Sequence, residues 1–114
     1  MKKLMISLLL AVLACTATAQ KTTQGAARRP LQFTVLQWNI WQEGTLIPGG
    51  FEAIVNELAN LQPDFVTLSE VRNYDDVDFT NKLCKALKEK GLTYYSFRSK
   101  DSGLLSKHPI MDWT

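Results

Sequence analysis

Two apolar runs of strand composition stand either side of a single amphipathic helix, and that arrangement restricts the fold more than any other feature of the chain. Residues 33–40 (FTVLQWNI) are aromatic and β-branched at both odd and even positions, the pattern of a strand covered on both faces. Phe51, Ile54, Val55, Leu58 and Leu61 recur at helical spacing, and Pro63 forces that helix to stop near Gln62. Residues 65–70 (FVTLSE) hold neither Gly nor Pro and read as a second strand. A helix between two strands permits them to lie parallel and adjacent in one sheet through a right-handed crossover.

The pattern continues downstream. Asp75, Asp76 and Asp78 precede Phe79, Leu83, Ala86 and Leu87 at helical spacing, with Lys88 and Lys90 in the last turn and Gly91 beyond. These are the marks of a capped helix, and capping accounts for the three acidic residues without a metal ion. Residues 92–97 (LTYYSF) read as a third strand, RSKDSG as a turn and residues 103–106 (GLLS) as a fourth strand, with no internal repeat. The order β-α-β-α-β-β is that of an α/β layered protein. Trp38, Trp41, Tyr94 and Tyr95 lie in or beside these strands, where core packing is the expected role of large aromatic side chains rather than base stacking.

The beginning of the chain reads as an export signal. Lys2 and Lys3 precede an apolar run of twelve residues from Leu4 to Cys15, followed by Ala17-Thr18-Ala19 and Gln20. Twelve residues fall short of the roughly twenty that a membrane-spanning helix needs. The small-residue pattern directs cleavage after Ala19, giving a periplasmic or extracellular product. Val12-Leu13-Ala14-Cys15 offers a competing lipobox, in which Cys15 receives lipid. Intact-mass measurement of exported protein is expected to give a soluble chain beginning at Gln20; a diacylated N-terminus at Cys15 would instead identify a lipoprotein. Residues 20–32, which include KTTQGAARRP, are polar with no apolar periodicity and read as a flexible linker, leaving residues 33–114 as the folded part.

Cleavage after Ala19 removes 19 of 114 residues and leaves 95, a length at which one sheet face is poorly covered and the last hairpin unfinished. It also removes Lys2 and Lys3, so 13 basic residues become 11 against 11 acidic ones. Zero net charge gives no general electrostatic hold on nucleic acid or anionic lipid. Cys84 is then the one remaining cysteine, which excludes an internal disulfide and suits a small buried apolar side chain. Nothing in the sequence points to a stable protein partner.

Chemistry-bearing residues sit at strand ends. Asn39 lies near the end of the first strand and Glu70 at the end of the second, the edge at which open α/β sheets bind ligands. A carboxylate beside an amide is a hard-oxygen pair suited to Mg²⁺, which leaves its other positions to water and substrate phosphate. The same residue types also serve as a backbone cap and as a solvated edge charge.

The words LQWNIW, FVTLSEVRN and SGLLSKHPI, in this order and spacing, resemble the endonuclease/exonuclease/phosphatase superfamily of metal-dependent phosphohydrolases. Trp38-Asn39-Ile40 matches its W/F-N-x segment and Ser69-Glu70-Val71 its Q/S-E-V/T segment. Gly103, Leu105, Ser106, Pro109 and Ile110 match its G-x-x-L-S-R-x-P-I hairpin, with Lys107 in place of the usual Arg. The resemblance implies a sandwich of two mixed sheets flanked by helices, of which this chain holds the N-terminal portion. It further implies that Glu70 binds catalytic Mg²⁺ or Mn²⁺, with Asn39 completing the metal site and orienting the phosphate. The substrate would be a phosphate ester: nucleic acid, phospholipid or sugar phosphate. Arg72, in the EVRN word shared with the deoxyribonuclease I branch, would approach a nucleic-acid backbone, unless it is a solvated charge at a strand end. His108 occupies a variable hairpin position and reads as a surface or packing residue rather than a general base. The family's H-x-x-x-G-D-F-N and S-D-H segments, which supply the catalytic His and the water-activating Asp, do not occur. The expectation is a truncated domain, inactive alone; the alternative is a secreted binding module that keeps the scaffold.

Overall fold

The computed structural model describes residues 27–111. Residues 1–19, read from the sequence as an export signal, and residues 20–26 of the expected linker lie outside the described residues; residues 27–32 are exposed and carry no regular structure. The folded unit begins at Gln32. Its elements follow the order read from the sequence: β1 (Val35–Asn39), α1 (Gly50–Leu61), β2 (Phe65–Ser69), α2 (Phe79–Glu89), β3 (Tyr95–Arg98) and β4 (Ser102–Ser106). Together they make a mixed α/β fold with one four-stranded sheet, ordered β1-β2-β4-β3.

Each helix is bounded by local chemistry. In α1, Ile54, Val55 and Leu58 form the buried stripe, and the helix ends at Gln62, whose left-handed backbone lets its N–H reach the Leu58 carbonyl at 2.9 Å just before Pro63. In α2, Phe79, Leu83 and Leu87 are buried, and Asp78 caps the N-terminus by accepting from the Asn81 N–H at 3.0 Å and the Thr80 hydroxyl at 2.8 Å. Such a cap contributes about 1 kcal/mol. The expectation that all three acidic residues cap this helix is corrected: Asp75 and Asp76 belong to a separate short turn, Tyr74–Asp76, and Asp76 instead pairs with Arg98 at 2.6 Å.

Strands β1 and β2 are parallel, with Asn39 opposite Ser69; β4 runs antiparallel to both β2 and β3. One sheet face presents Leu36, Trp38, Val66, Leu68 and Leu105 to the two helices, and the core is this layer packed on Ile54, Val55, Leu58, Phe79, Leu83 and Leu87. The expected double covering of the first strand does not hold. Both helices serve the same face, so side chains of the other parity stay open to solvent: Phe33 is 58%, Val35 60% and Phe97 57% exposed. Phe33 packs edge-on against Phe65, with ring centroids 5.6 Å apart.

The aromatic residues divide in the same way. Trp38 packs against the core, and Tyr94 is buried with its hydroxyl donating to the Pro63 carbonyl at 2.6 Å. Trp41 and Tyr95 are exposed, against the expectation of core packing. Cys84 is half-buried, and desolvation pushes its thiol above the ordinary range, in keeping with a packing role rather than a nucleophile.

At the start of the parallel pair, Asp64 accepts from the Thr34 N–H at 2.7 Å and the Thr34 hydroxyl at 3.1 Å, while its own N–H donates back to that hydroxyl at 3.0 Å. These bonds hold the Asp64 carboxyl below its usual range and fix the register of β1 on β2, which in turn sets which residues meet at the far end.

Candidate functional site

The register brings Asn39 and Glu70 together. Glu70 follows Ser69 directly, and the Ile40 N–H continues the ladder to the Ser69 carbonyl at 3.2 Å, so both side chains emerge at the C-terminal end of the parallel pair. The Asn39 amide nitrogen donates to Glu70 Oε1 at 2.9 Å. Glu70 Oε2 accepts the Gln42 backbone N–H at 3.1 Å, and Asn39 Oδ1 accepts the Trp41 N–H at 2.9 Å. The half-buried Glu70 carboxylate is therefore held by one donor on each oxygen, with further lone pairs left over.

The loop after β1 makes this possible. Trp41, Gln42, Glu43 and Gly44 follow one another at φ of 43°, 54°, 63° and 69°, a run of left-handed residues of which three are not glycine. Strain of this kind persists only where surrounding bonds over-determine it. Here the turn aims the Gln42 N–H at Glu70 and sends the Glu43 side chain inward, where it is 6% exposed. Glu43 Oε1 accepts two backbone N–H groups of the loop after β2, from Arg72 at 2.7 Å and Asn73 at 2.5 Å. The Tyr74 hydroxyl donates to Gln42 Oε1 at 2.8 Å, a further tie between the two loops.

Glu43 is the residue that sequence reasoning passed over. It stands in a short polar stretch, WQEG, with no periodicity to mark it as buried. The one available signal is Gly44 immediately after it, a residue suited to a tight left-handed turn.

The side chains of the other candidates have partners of their own. The Arg72 guanidinium pairs with Asp101 at 3.0 Å, so its charge is already matched within the chain. His108 packs its ring 5.8 Å from that of Phe65, at the opposite end of β2 from Glu70, which places it where a surface or packing role was expected. Lys107 sits at that same far end with Asp64 at 3.7 Å.

The donor set suits a hard cation with few protein ligands. Mg²⁺ accepts a single carboxylate and fills its shell with water and phosphate, so Glu70 is the residue here that could hold such an ion. Asn39 presents its amide nitrogen to Glu70, while its Oδ1 accepts the Trp41 N–H and keeps a second lone pair that could reach an ion. Among the described residues no three His, Cys, Asp or Glu side chains converge as a ready-made cage. A cleft of about 580 Å³ opens beside β1, bordered by Trp38, Asn39, Trp41, Ile54 and Leu61; Glu70 is not among its walls. No protein-family model, curated protein or solved structure matches this chain.

Proposed function

We propose that this is an exported phosphoesterase chain of the endonuclease/exonuclease/phosphatase type, carrying the metal-holding half of the site. The contact between the Asn39 amide and the Glu70 carboxylate at the end of two parallel strands supports this reading most directly. Glu70 holds Mg²⁺ or Mn²⁺ through a carboxylate kept in place by Asn39 and the Gln42 N–H. Asn39, whose amide nitrogen has two hydrogens, has a second donor for a phosphate oxygen. When bound, the ion supplies a Lewis acid that polarises the phosphoryl oxygen and stabilises the leaving oxygen. Activation of water requires a general base, and His108 is at the wrong end of the sheet to serve.

The expected result is weak Mn²⁺ binding, with Kd of about 1 mM, and no turnover of plasmid DNA or a chromogenic phosphodiester by this chain alone. Glu70→Gln should abolish the binding, read by water-proton relaxation, while far-UV circular dichroism stays unchanged. Binding that survives Glu70→Gln would overturn the metal assignment, and turnover that survives it would overturn the family reading as well. A binding module on the same scaffold is the second reading, favoured by the apolar cleft that Glu70 does not border. It stands if the intact chain binds neither Mn²⁺ nor a phosphate ester.

A further inference from the structure

Four consecutive residues follow β2, and each is bonded to another part of the chain. Glu70 has a left-handed backbone at φ 60°, and its carboxylate accepts from Asn39 and from the Gln42 N–H. The Val71 N–H donates to the Asp101 carbonyl at 3.3 Å, and the Arg72 guanidinium donates to the carboxylate of the same residue. Arg72 and Asn73 give their N–H groups to Glu43. Asn73 is left-handed as well, at φ 50°, a conformation that asparagine tolerates better than most side chains. Its side chain is used at both ends: Nδ2 donates to the Ser99 carbonyl at 3.0 Å, in the turn between β3 and β4, and Oδ1 accepts the Phe79 N–H at 3.2 Å. Phe79 opens α2, and its N–H is one of the donors that a helix leaves without an internal partner at its start.

These bonds close a circuit around the carboxylate. Glu70 is bonded to the Gln42 N–H, Glu43 follows Gln42 in the chain, the Glu43 carboxylate holds the Asn73 N–H, and the chain runs back from Asn73 to Glu70. A circuit of two loops could move as a unit, and the Asn73 side chain fixes it to α2 on one side and to the β3–β4 turn on the other. We infer that Asn73 is a positioning residue for Glu70, keeping the Gln42 N–H on Glu70 Oε2 and so holding the carboxylate in one orientation. Groups that orient a ligand set its affinity for a metal although they never touch the ion. The bearing of Asn73 on Mn²⁺ or Mg²⁺ rests on the reading of Glu70 as the ligand; its bearing on the orientation of that carboxylate does not.

The test is amide exchange of the full chain, read by NMR without metal. Asn73→Gly removes both side-chain bonds, yet keeps a residue at ease at positive φ and keeps the N–H that Glu43 accepts. Exchange at Gln42 should rise about tenfold relative to Leu58, whose amide lies inside α1 and reports opening of the whole fold. A merely structural Asn73 would move both amides together, and equal changes would overturn the inference. Arg98→Gln breaks the Arg98–Asp76 pair in the neighbouring turn and should leave the ratio unchanged. A rise as large as that of Asn73→Gly would assign the effect to general loosening of this end and overturn the inference as well. If Asn73→Gly does not fold, Asn73→Asp carries the same test, since it keeps an acceptor for Phe79 and gives up the donor to Ser99. The Mn²⁺ Kd of the variant should rise about fivefold, less than the roughly tenfold lost when a direct partner of a ligand is removed. A wild-type chain that binds no Mn²⁺ removes the metal reading, and the exchange ratio still decides on Asn73. An unchanged Kd in a variant whose Gln42 is released would overturn the positioning role at the ion.

Discussion

Glu43→Ala is expected to lower the free energy of unfolding by about 3 kcal/mol. The buried carboxylate accepts the N–H groups of both Arg72 and Asn73, and truncation leaves two donors with no acceptor. Bonds from a neutral donor to a charged acceptor are the stronger kind, and orphaned buried groups cost their full desolvation. The urea midpoint should fall by about 2 M, taking an m-value of about 1.5 kcal/mol/M for a chain of this size. Amide exchange should accelerate first at Arg72 and Asn73, because they lose their partner directly. Glu43→Gln keeps an acceptor oxygen and should cost only about 1 kcal/mol. An unchanged midpoint for Glu43→Ala would mean that the loop after β2 is held by other contacts, and that the tie between the two loops contributes little to the site.

The parallel pair was legible because its signals are local and redundant. Hydrophobic spacing in α1, Pro63 behind it and two β-branched runs around it leave little choice but strand, helix and parallel strand. Counting along those runs placed Asn39 and Glu70 at the same edge, and the register does so within one residue, since Asn39 lies opposite Ser69. The covering of β1 was not legible. An apolar run records what its side chains could pack against, whereas the faces actually covered depend on which side both helices return to, a tertiary fact. The start of β3 slipped for a related reason: Tyr94 has strand propensity, but its hydroxyl bond to the Pro63 carbonyl buries it before the ladder begins at Tyr95.

At the site, the two residue types that announce chemistry were found and the loop that positions them was not. Asn and Glu at strand ends stand out in a sequence; four successive left-handed residues do not, because their cost is offset by hydrogen bonds to residues some thirty positions away. Arg72 shows the converse. From the sequence it stands open between a contact with a nucleic-acid backbone, implied by the resemblance, and a solvated charge at a strand end, and only the fold reveals Asp101 beside it.

The left-handed turn also depends on a close backbone approach, and Gly50→Ala should expose this. A Cβ at Gly50 would be driven into the Gly44 carbonyl, and one at Gly44 would lie 2.8 Å from the Gly50 carbonyl carbon, so the turn and the first residue of α1 meet through two bare backbones. Neither partner is the end of a flexible side chain that could swing away. Alanine is the better helix former by about 1 kcal/mol, so if helix propensity governed, the substitution would stabilise the chain. Overpacking against backbone should reverse that sign, for a net loss of about 3 kcal/mol. Relief requires the turn to shift, and the turn carries both the Gln42 N–H that bonds Glu70 and the Glu43 carboxylate that holds Arg72 and Asn73. Mn²⁺ binding should therefore weaken together with stability. Gly49→Ala is the control: its φ of +73° strains an alanine, but nothing lies within 4 Å of the added Cβ, so the cost should stay near 1 kcal/mol with Mn²⁺ binding retained. Equal urea midpoints for the two variants would assign the effect to backbone conformation rather than contact, and would remove the steric link between the start of α1 and Glu70.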